Sequence, residues 1–161
     1  MKKIVLLSIL ISMIGFSCSG QGRITEKEKK KIQEVIENHD KTLIFVGAKF
    51  CHACKSMLEK NIKPYLEGLE KNDVGIVIIY YGGKELVADL VSNNRLIITE
   101  NQSLPLLARN DVNKTMKNLL KDFRETNVMP IPLLVDKDGL VLNYDEEDGF
   151  LSYAEIIKAA E

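Results

Sequence analysis

Cys51-His52-Ala53-Cys54 places two thiols two residues apart, directly after the apolar run Leu43 to Ala48 and directly before a segment with helical spacing. A helix start leaves backbone N–H groups unpaired and carries the positive end of the helix dipole, so a thiolate placed there is stabilised. Helix N-termini and Cys-x-x-Cys motifs bring thiol pKa values down to roughly 3.5–7.5. Cys51 is therefore the candidate nucleophile and Cys54 its partner, and the chemistry this arrangement suits is thiol–disulfide exchange. Two thiolates with the His52 imidazole are also soft or borderline ligands that suit copper(I) or zinc, which makes a metal carrier the rival reading. Against it, the chain has no second Cys-x-x-Cys, and its other histidine, His39, falls at the far end of the first predicted helix. Covalent haem attachment needs a histidine after the second cysteine, where Lys55 stands. A purely structural disulfide would close a loop of four residues and remove little chain entropy.

The elements that must hold this pair are legible from periodicity. Thr25-Glu26-Lys27-Glu28 offers a capping box ahead of Ile32, Val35 and Ile36, so a helix is predicted to about Asn38. Leu43 to Ala48 reads as a strand buried on both faces. A long helix follows the cysteines, with Met57, Leu58, Ile62, Tyr65, Leu66 and Leu69 on one face and an expected kink at Pro64. Val74 to Tyr80 is a second buried strand, ended by Gly82-Gly83. Leu86, Val87, Leu90 and Val91 predict a helix, Leu96 to Thr99 a short strand, and Asn101 to Asn110, with Pro105, a loop. Val112, Met116, Leu119, Leu120 and Phe123 define a further helix to about Glu125. Val128 to Val135 is a late strand, turned by Asp138-Gly139 into Leu140-Val141-Leu142, and Ser152 to Glu155 caps a final helix. Strands alternating with helices, then a hairpin and a closing helix, imply an α/β fold with a central mixed sheet flanked by helices on both faces.

The ends and the charge bound the compartment. Lys2-Lys3, the apolar stretch Ile4 to Phe16 and Ser17-Cys18-Ser19-Gly20 form a basic region, an apolar region and a small-residue exit, which is an export signal. Its apolar core, about thirteen residues, is short of the roughly 20 needed to span a bilayer as a helix. Cys18 resembles the lipobox cysteine of bacterial lipoproteins, which is acylated and becomes the mature N-terminus, although Gly15 stands where that motif favours leucine. The expected organisation is a leader over 1–17, a tether over 18–25 and one domain over 26–161, lipid-anchored in the cell envelope or periplasm. The alternative is a soluble secreted protein cut near Gly20. Acylating Cys18 also removes the odd member of three cysteines and leaves Cys51 and Cys54 as a pair. Loss of Lys2 and Lys3 takes two of 22 basic residues and none of 23 acidic ones, so the mature net charge is near −3 and no nucleic-acid partner is implied. The Lys27 to Lys31 cluster alternates with Glu26 and Glu28 as a solvated face. Asp136 to Gly139 is explained by a turn without calcium, because its glycine falls too early for a calcium-binding hand. Asn101-Gln102-Ser103 and Asn113-Lys114-Thr115 match glycosylation triplets that arise often by chance.

Phe50-Cys51-His52-Ala53-Cys54-Lys55 after a central strand, with Ile131-Pro132 opening the strand before Asp136-Lys137-Asp138-Gly139, resembles the thioredoxin superfamily over roughly residues 26–161. The resemblance implies a thioredoxin-like fold and a thiol:disulfide oxidoreductase whose redox group is the Cys51–Cys54 disulfide itself, with no other cofactor. It further implies a cis-proline loop beside that disulfide, a role that falls on Pro132, with Pro130 as second choice. Partners implied are client proteins bearing thiols or disulfides and a membrane or envelope redox partner, with membrane attachment through the lipid. A non-catalytic thioredoxin-like interaction module is the other alternative. The chain departs from the family in three places. His52-Ala53 replaces Gly-Pro, and an imidazolium there would stabilise the Cys51 thiolate and make the protein more oxidising. Phe45 stands where thioredoxin keeps a buried acid that serves the resolving cysteine, a role left to water or Glu59. Phe50 replaces a tryptophan and keeps an aromatic wall beside the sulfur. The stretch between residues 82 and 126 exceeds that of a minimal thioredoxin, which suggests an inserted helical element that covers the site or binds a partner.

Overall fold

The computed structural model describes residues 23–59, 62–101, 105–145 and 149–150. The export signal, Cys18 and the helix expected after Ser152 lie outside these residues. Glu26–Glu37 forms α1, and Thr25 caps it as expected: its hydroxyl accepts from the Glu28 N–H at 3.2 Å while the Glu28 carboxylate accepts from the Thr25 N–H at 2.8 Å. Lys41–Ala48 is β1, and all of it beyond Lys41 is buried. His52–Glu59 is α2 and Ile62–Lys71 is α3. The single kinked helix expected here is thus two helices. Pro64 sits in the first turn of α3, where its missing N–H has no partner to lose.

Gly75–Tyr81 is β2, Arg95–Glu100 is β3, and Ile131–Asp136 is β4. They order as β3-β2-β1-β4, with β1, β2 and β3 mutually parallel and β4 antiparallel to β1. Between β2 and β3, Glu85–Leu90 is a 3₁₀ helix that stops short of Val91, whose side chain is exposed. Pro105–Leu119 is α4. The expected loop over Asn101 to Asn110 is therefore overturned at Pro105, because a proline with its fixed φ suits the first position of a helix. At the other end α4 stops six residues before Glu125. Beyond it Asp122 takes a positive φ of 58°, and the Lys121 N–H bonds the Gly139 carbonyl at 2.8 Å. Tyr144–Asp145 and Gly149–Phe150 pair as a short antiparallel ribbon, β5 and β6.

Side-chain alternation sorts the core into two layers. Ile44, Val46, Val77, Ile79, Tyr81 and Ile98 face α1 and α4, packing on Ile32, Ile36, Val112 and Met116. Leu43, Phe45, Ile76, Ile78 and Tyr80 face the other way, onto Cys54, Ile62, Leu66, Leu69 and the 3₁₀ helix residues Val87 and Leu90. Helices on both faces explain why β1 and β2 read as continuous apolar runs rather than alternating ones. Residues 82–126 thus contribute the 3₁₀ helix, an edge strand and a covering helix, and the 3₁₀ helix lies against α2.

The free edge of β4 is closed by a side chain. Asn143, fully buried, accepts from the Leu134 N–H and donates to the Pro132 carbonyl, both at 2.7 Å. Leu142 N–H bonds the Leu134 carbonyl at 2.8 Å, so the turn expected at Asp138-Gly139 does return the chain along β4. Gly139 occupies that turn at φ 76°, a conformation glycine adopts without strain.

Candidate active site

β1 ends at Ala48, and the chain turns once before entering α2. The Lys49 N–H bonds the Tyr81 carbonyl at 2.8 Å and the Cys51 N–H bonds the Ala48 carbonyl at 3.0 Å, which fixes the turn to the sheet. Cys51 then takes the position just ahead of the first helical residue, His52. Cys51 and Cys54 are joined by a disulfide with Cα atoms 5.2 Å apart. The Cys54 N–H points at the Cys51 sulfur at 3.0 Å, and the Lys55 N–H bonds the Cys51 carbonyl at 3.1 Å. This is the arrangement of a helix cap with sulfur in place of oxygen: an orphan N–H of the first turn is satisfied by the side chain that precedes the helix. The same donor remains in place for a thiolate when the disulfide opens.

The two sulfurs differ in access. Cys54 is 0% exposed, packed in the α2–α3 layer, whereas Cys51 is partly exposed and touches both hydrophobic layers. An incoming group therefore meets Cys51, and Cys54 can react only with its neighbour. His52 and Ala53 are exposed on the first turn, and Phe50 packs half-buried on the α1–α4 layer. Glu59 does not approach Cys54. Five residues along a helix turn a side chain about 140° away, and Glu59 lies on the outside of α2 with Lys55, 3.7 Å from its ammonium. Among the described residues, no three His, Cys, Asp or Glu side chains converge as a metal-ligand set.

One expected placement is corrected. The cis peptide bond falls at Met129–Pro130, the second choice, and not before Pro132. Pro132 lies inside β4 opposite Phe45, and Ile131, which precedes it, pairs with Val46 and is buried. The reason is in the register. The Pro132 carbonyl faces Asn143 on the outer edge, so its ring nitrogen faces outward too and the ladder to β1 loses no donor there, a setting in which a strand accepts proline. Met129, which no pattern in the chain singles out, touches both hydrophobic layers, as Cys51 does.

A Cys-x-x-Cys helix thus follows β1, which lies between β2 of the parallel β1–β2–β3 set and the antiparallel β4, and a Met-Pro loop precedes β4. The fold is thioredoxin-like.

No protein-family model and no curated protein sequence matches the chain. Solved structures similar to the thioredoxin-like domain include a thioredoxin-like protein from Bacteroides caccae, 18% identical over 76% of this chain and 40% of that one, with a TM-score of 0.46. The thioredoxin domain of a thiol-disulfide oxidoreductase from Bacteroides vulgatus is 12% identical over 80% of this chain and 84% of that one, at 0.47. A thioredoxin-related protein from Neisseria meningitidis serogroup B is 17% identical over 76% and 85%, at 0.47.

The disulfide end of the thioredoxin-like domain also carries charge the sequence did not announce. Ala48, Tyr81 and Glu100 form one row across the strand ends. The Tyr81 hydroxyl donates to Asp111 of α4 at 2.8 Å, and the same carboxylate oxygen accepts from the Ile24 N–H at 3.0 Å. Burial, followed by the charges of Glu28 and Asp111, pushes the Glu100 carboxyl up to about 7 from the ordinary 4.5. The folded chain therefore holds this proton more tightly than the unfolded one. Its contribution to stability is complete below about pH 4.5 and is lost as the pH rises through about 7. Glu100→Gln, which keeps the shape and removes the ionisation, is expected to flatten that loss. Melting temperatures of the two proteins should diverge between pH 5 and pH 8, with the variant the more stable at pH 8. Parallel curves would mean that Glu100 ionises as an ordinary surface acid.

Proposed function

We propose that this protein is an exported thiol:disulfide oxidoreductase, lipid-tethered at Cys18, that exchanges disulfides with client proteins of the cell envelope. The observation that carries the redox part is the unequal access of two bonded sulfurs at a helix start, with the Cys54 N–H already directed at the Cys51 sulfur. In the reducing direction, the Cys51 thiolate attacks a client disulfide, a mixed disulfide forms, and one client sulfur leaves as a thiolate. Cys54, having given up its proton, attacks the Cys51 sulfur, which closes the Cys51–Cys54 bond and releases the second client thiolate. Two electrons pass to the client. Run in reverse, the same steps oxidise a client dithiol. The export signal and the Cys18 motif support the envelope location, and the mature charge near −3 supports protein clients over nucleic acid.

The test is the redox equilibrium of the pair, titrated against glutathione or dithiothreitol with thiol trapping. A potential near that of thioredoxin, about −270 mV, marks a reductase that needs an electron supply, and one near about −120 mV marks a disulfide-forming oxidase. A pair that shows no reversible disulfide overturns the proposal.

A further inference from the structure

Tyr80 is 0% exposed, and its hydroxyl, also buried, has no hydrogen-bond partner among the described residues. Buried hydroxyls nearly always have one, and an exception calls for a physical account. The ring belongs to the same packed layer as Cys54, Phe45 and the 3₁₀ helix residue Val87. Gly47, the β1 residue opposite Tyr80, is what admits it. A Cβ at Gly47 would lie 3.1 Å from the Tyr80 ring and 3.0 Å from the Phe45 ring, so the missing side chain lets the phenol lean across the end of β1. That is the strand end from which the chain turns into α2. Phe45, meanwhile, offers no polar atom to a sulfur released in this layer.

We propose that the Tyr80 hydroxyl is the hydrogen-bond donor that meets the Cys54 sulfur when the disulfide opens. The proposal rests on the redox reading above and names the group that reading lacks. When a reductant thiolate attacks the Cys51 sulfur, the Cys51–Cys54 bond breaks and Cys54 leaves with the bonding pair as a buried thiolate. A second thiolate of the reductant then releases Cys51 and closes the reductant's own disulfide. In the oxidised protein the Cys54 sulfur carries no charge and attracts a donor only weakly; in the reduced protein it becomes an anion in the same packed layer as a hydroxyl that has no partner among the described residues. Burial, followed by the charge of Glu85, raises the phenol above its ordinary range, which keeps it a neutral donor through this change. Hydrogen bonds to charged acceptors are the strong ones, so Tyr80 favours the reduced form. It acts as a positioning residue, with no proton of its own transferred.

Tyr80→Phe removes the hydroxyl and keeps the ring, so packing and folding are retained. The redox equilibrium of each protein is measured against glutathione, and urea unfolding is followed for each oxidation state. The expected result is a shift of about tenfold toward the disulfide in Tyr80→Phe, a potential about 30 mV more negative. Stability should fall in the reduced state and stay level or rise in the oxidised state. An equilibrium within about twofold of the unsubstituted protein, or equal destabilisation of both states, overturns the proposal and leaves the redox function standing. If the unsubstituted protein has no reversible disulfide, the redox function fails and the role of Tyr80 with it.

Discussion

Cys51→Ser is expected to abolish disulfide exchange, with insulin reduction falling to the rate of free reductant, a loss on the order of 10³-fold or more. The serine hydroxyl is not ionised near neutral pH, so the helix start that stabilises a thiolate has nothing to act on. Cys54→Ser gives a different outcome from the same helix. Cys51 stays the accessible, capped sulfur, attacks clients, and cannot be released, so mixed disulfides accumulate and appear as adducts on non-reducing gels. The difference follows from burial: Cys54 is 0% exposed and meets no client. A Cys51→Ser protein with full insulin-reducing activity would refute the assignment of the nucleophile, and adducts of equal yield in both variants would refute the division of roles.

Glu70→Ala is expected to destabilise the fold by about 3–5 kcal/mol, the usual result of stripping one partner from a buried ion pair. Arg95 opens the edge strand β3 with its side chain only 2% exposed, and it reaches back to α3, where Nε and Nη2 donate to the two Glu70 oxygens at 2.7 and 2.9 Å. Its remaining nitrogen, Nη1, donates to the Leu90 carbonyl at 3.1 Å, at the end of the 3₁₀ helix. One guanidinium thus fastens β3, α3 and the 3₁₀ helix together. With Glu70 removed, a buried charge keeps a single neutral partner. A domain of this size holds about 5–15 kcal/mol in all, so urea unfolding should show a large fall in midpoint. Pairing Glu70→Leu with Arg95→Met replaces both charges by apolar groups and should recover most of the loss. A Glu70→Ala midpoint within experimental error of the unsubstituted protein would mean that the pair is solvated and contributes little.

That pair also shows where sequence reading stops. Glu70 and Arg95 are 25 positions apart and look like two ordinary surface charges; their meeting depends on α3 packing over β2, the neighbour of β3, which no local pattern encodes. Asn143 is a similar case, a polar residue after an apolar triplet whose function is to satisfy the edge of a strand nine residues earlier. What local chemistry dictates was legible. The Thr25 capping box, the buried runs of β1 and β2, the turn at Asp138-Gly139 and the placement of Cys51 at a helix start all rest on neighbours in the chain. Prolines were harder, because their meaning depends on position within an element. Pro64 and Pro105 both sit in first turns, where they favour a helix rather than bend or exclude one, and Pro132 is tolerated in a strand because its nitrogen faces the outer edge. The site was legible as a motif but not as a surrounding. The predicted strands end at or next to Tyr80 and Glu100, but nothing local marks either as a neighbour of the end of β1, where the registers Gly47–Tyr80 and Ala48–Tyr81–Glu100 bring them.

The contact between the Ile24 N–H and Asp111 fixes where the chain enters the domain. Asp111 is also the acceptor of Tyr81, the last residue of β2, so α1 begins at the strand ends from which Cys51 projects and runs back along the sheet. Ile24 therefore lies on the disulfide's side of the molecule. Ser19 to Ile24 is six residues, a leash of at most about 20 Å. Under the proposed tether, an acyl chain on Cys18 would limit how far the disulfide end of the domain can stand from the bilayer surface to that length.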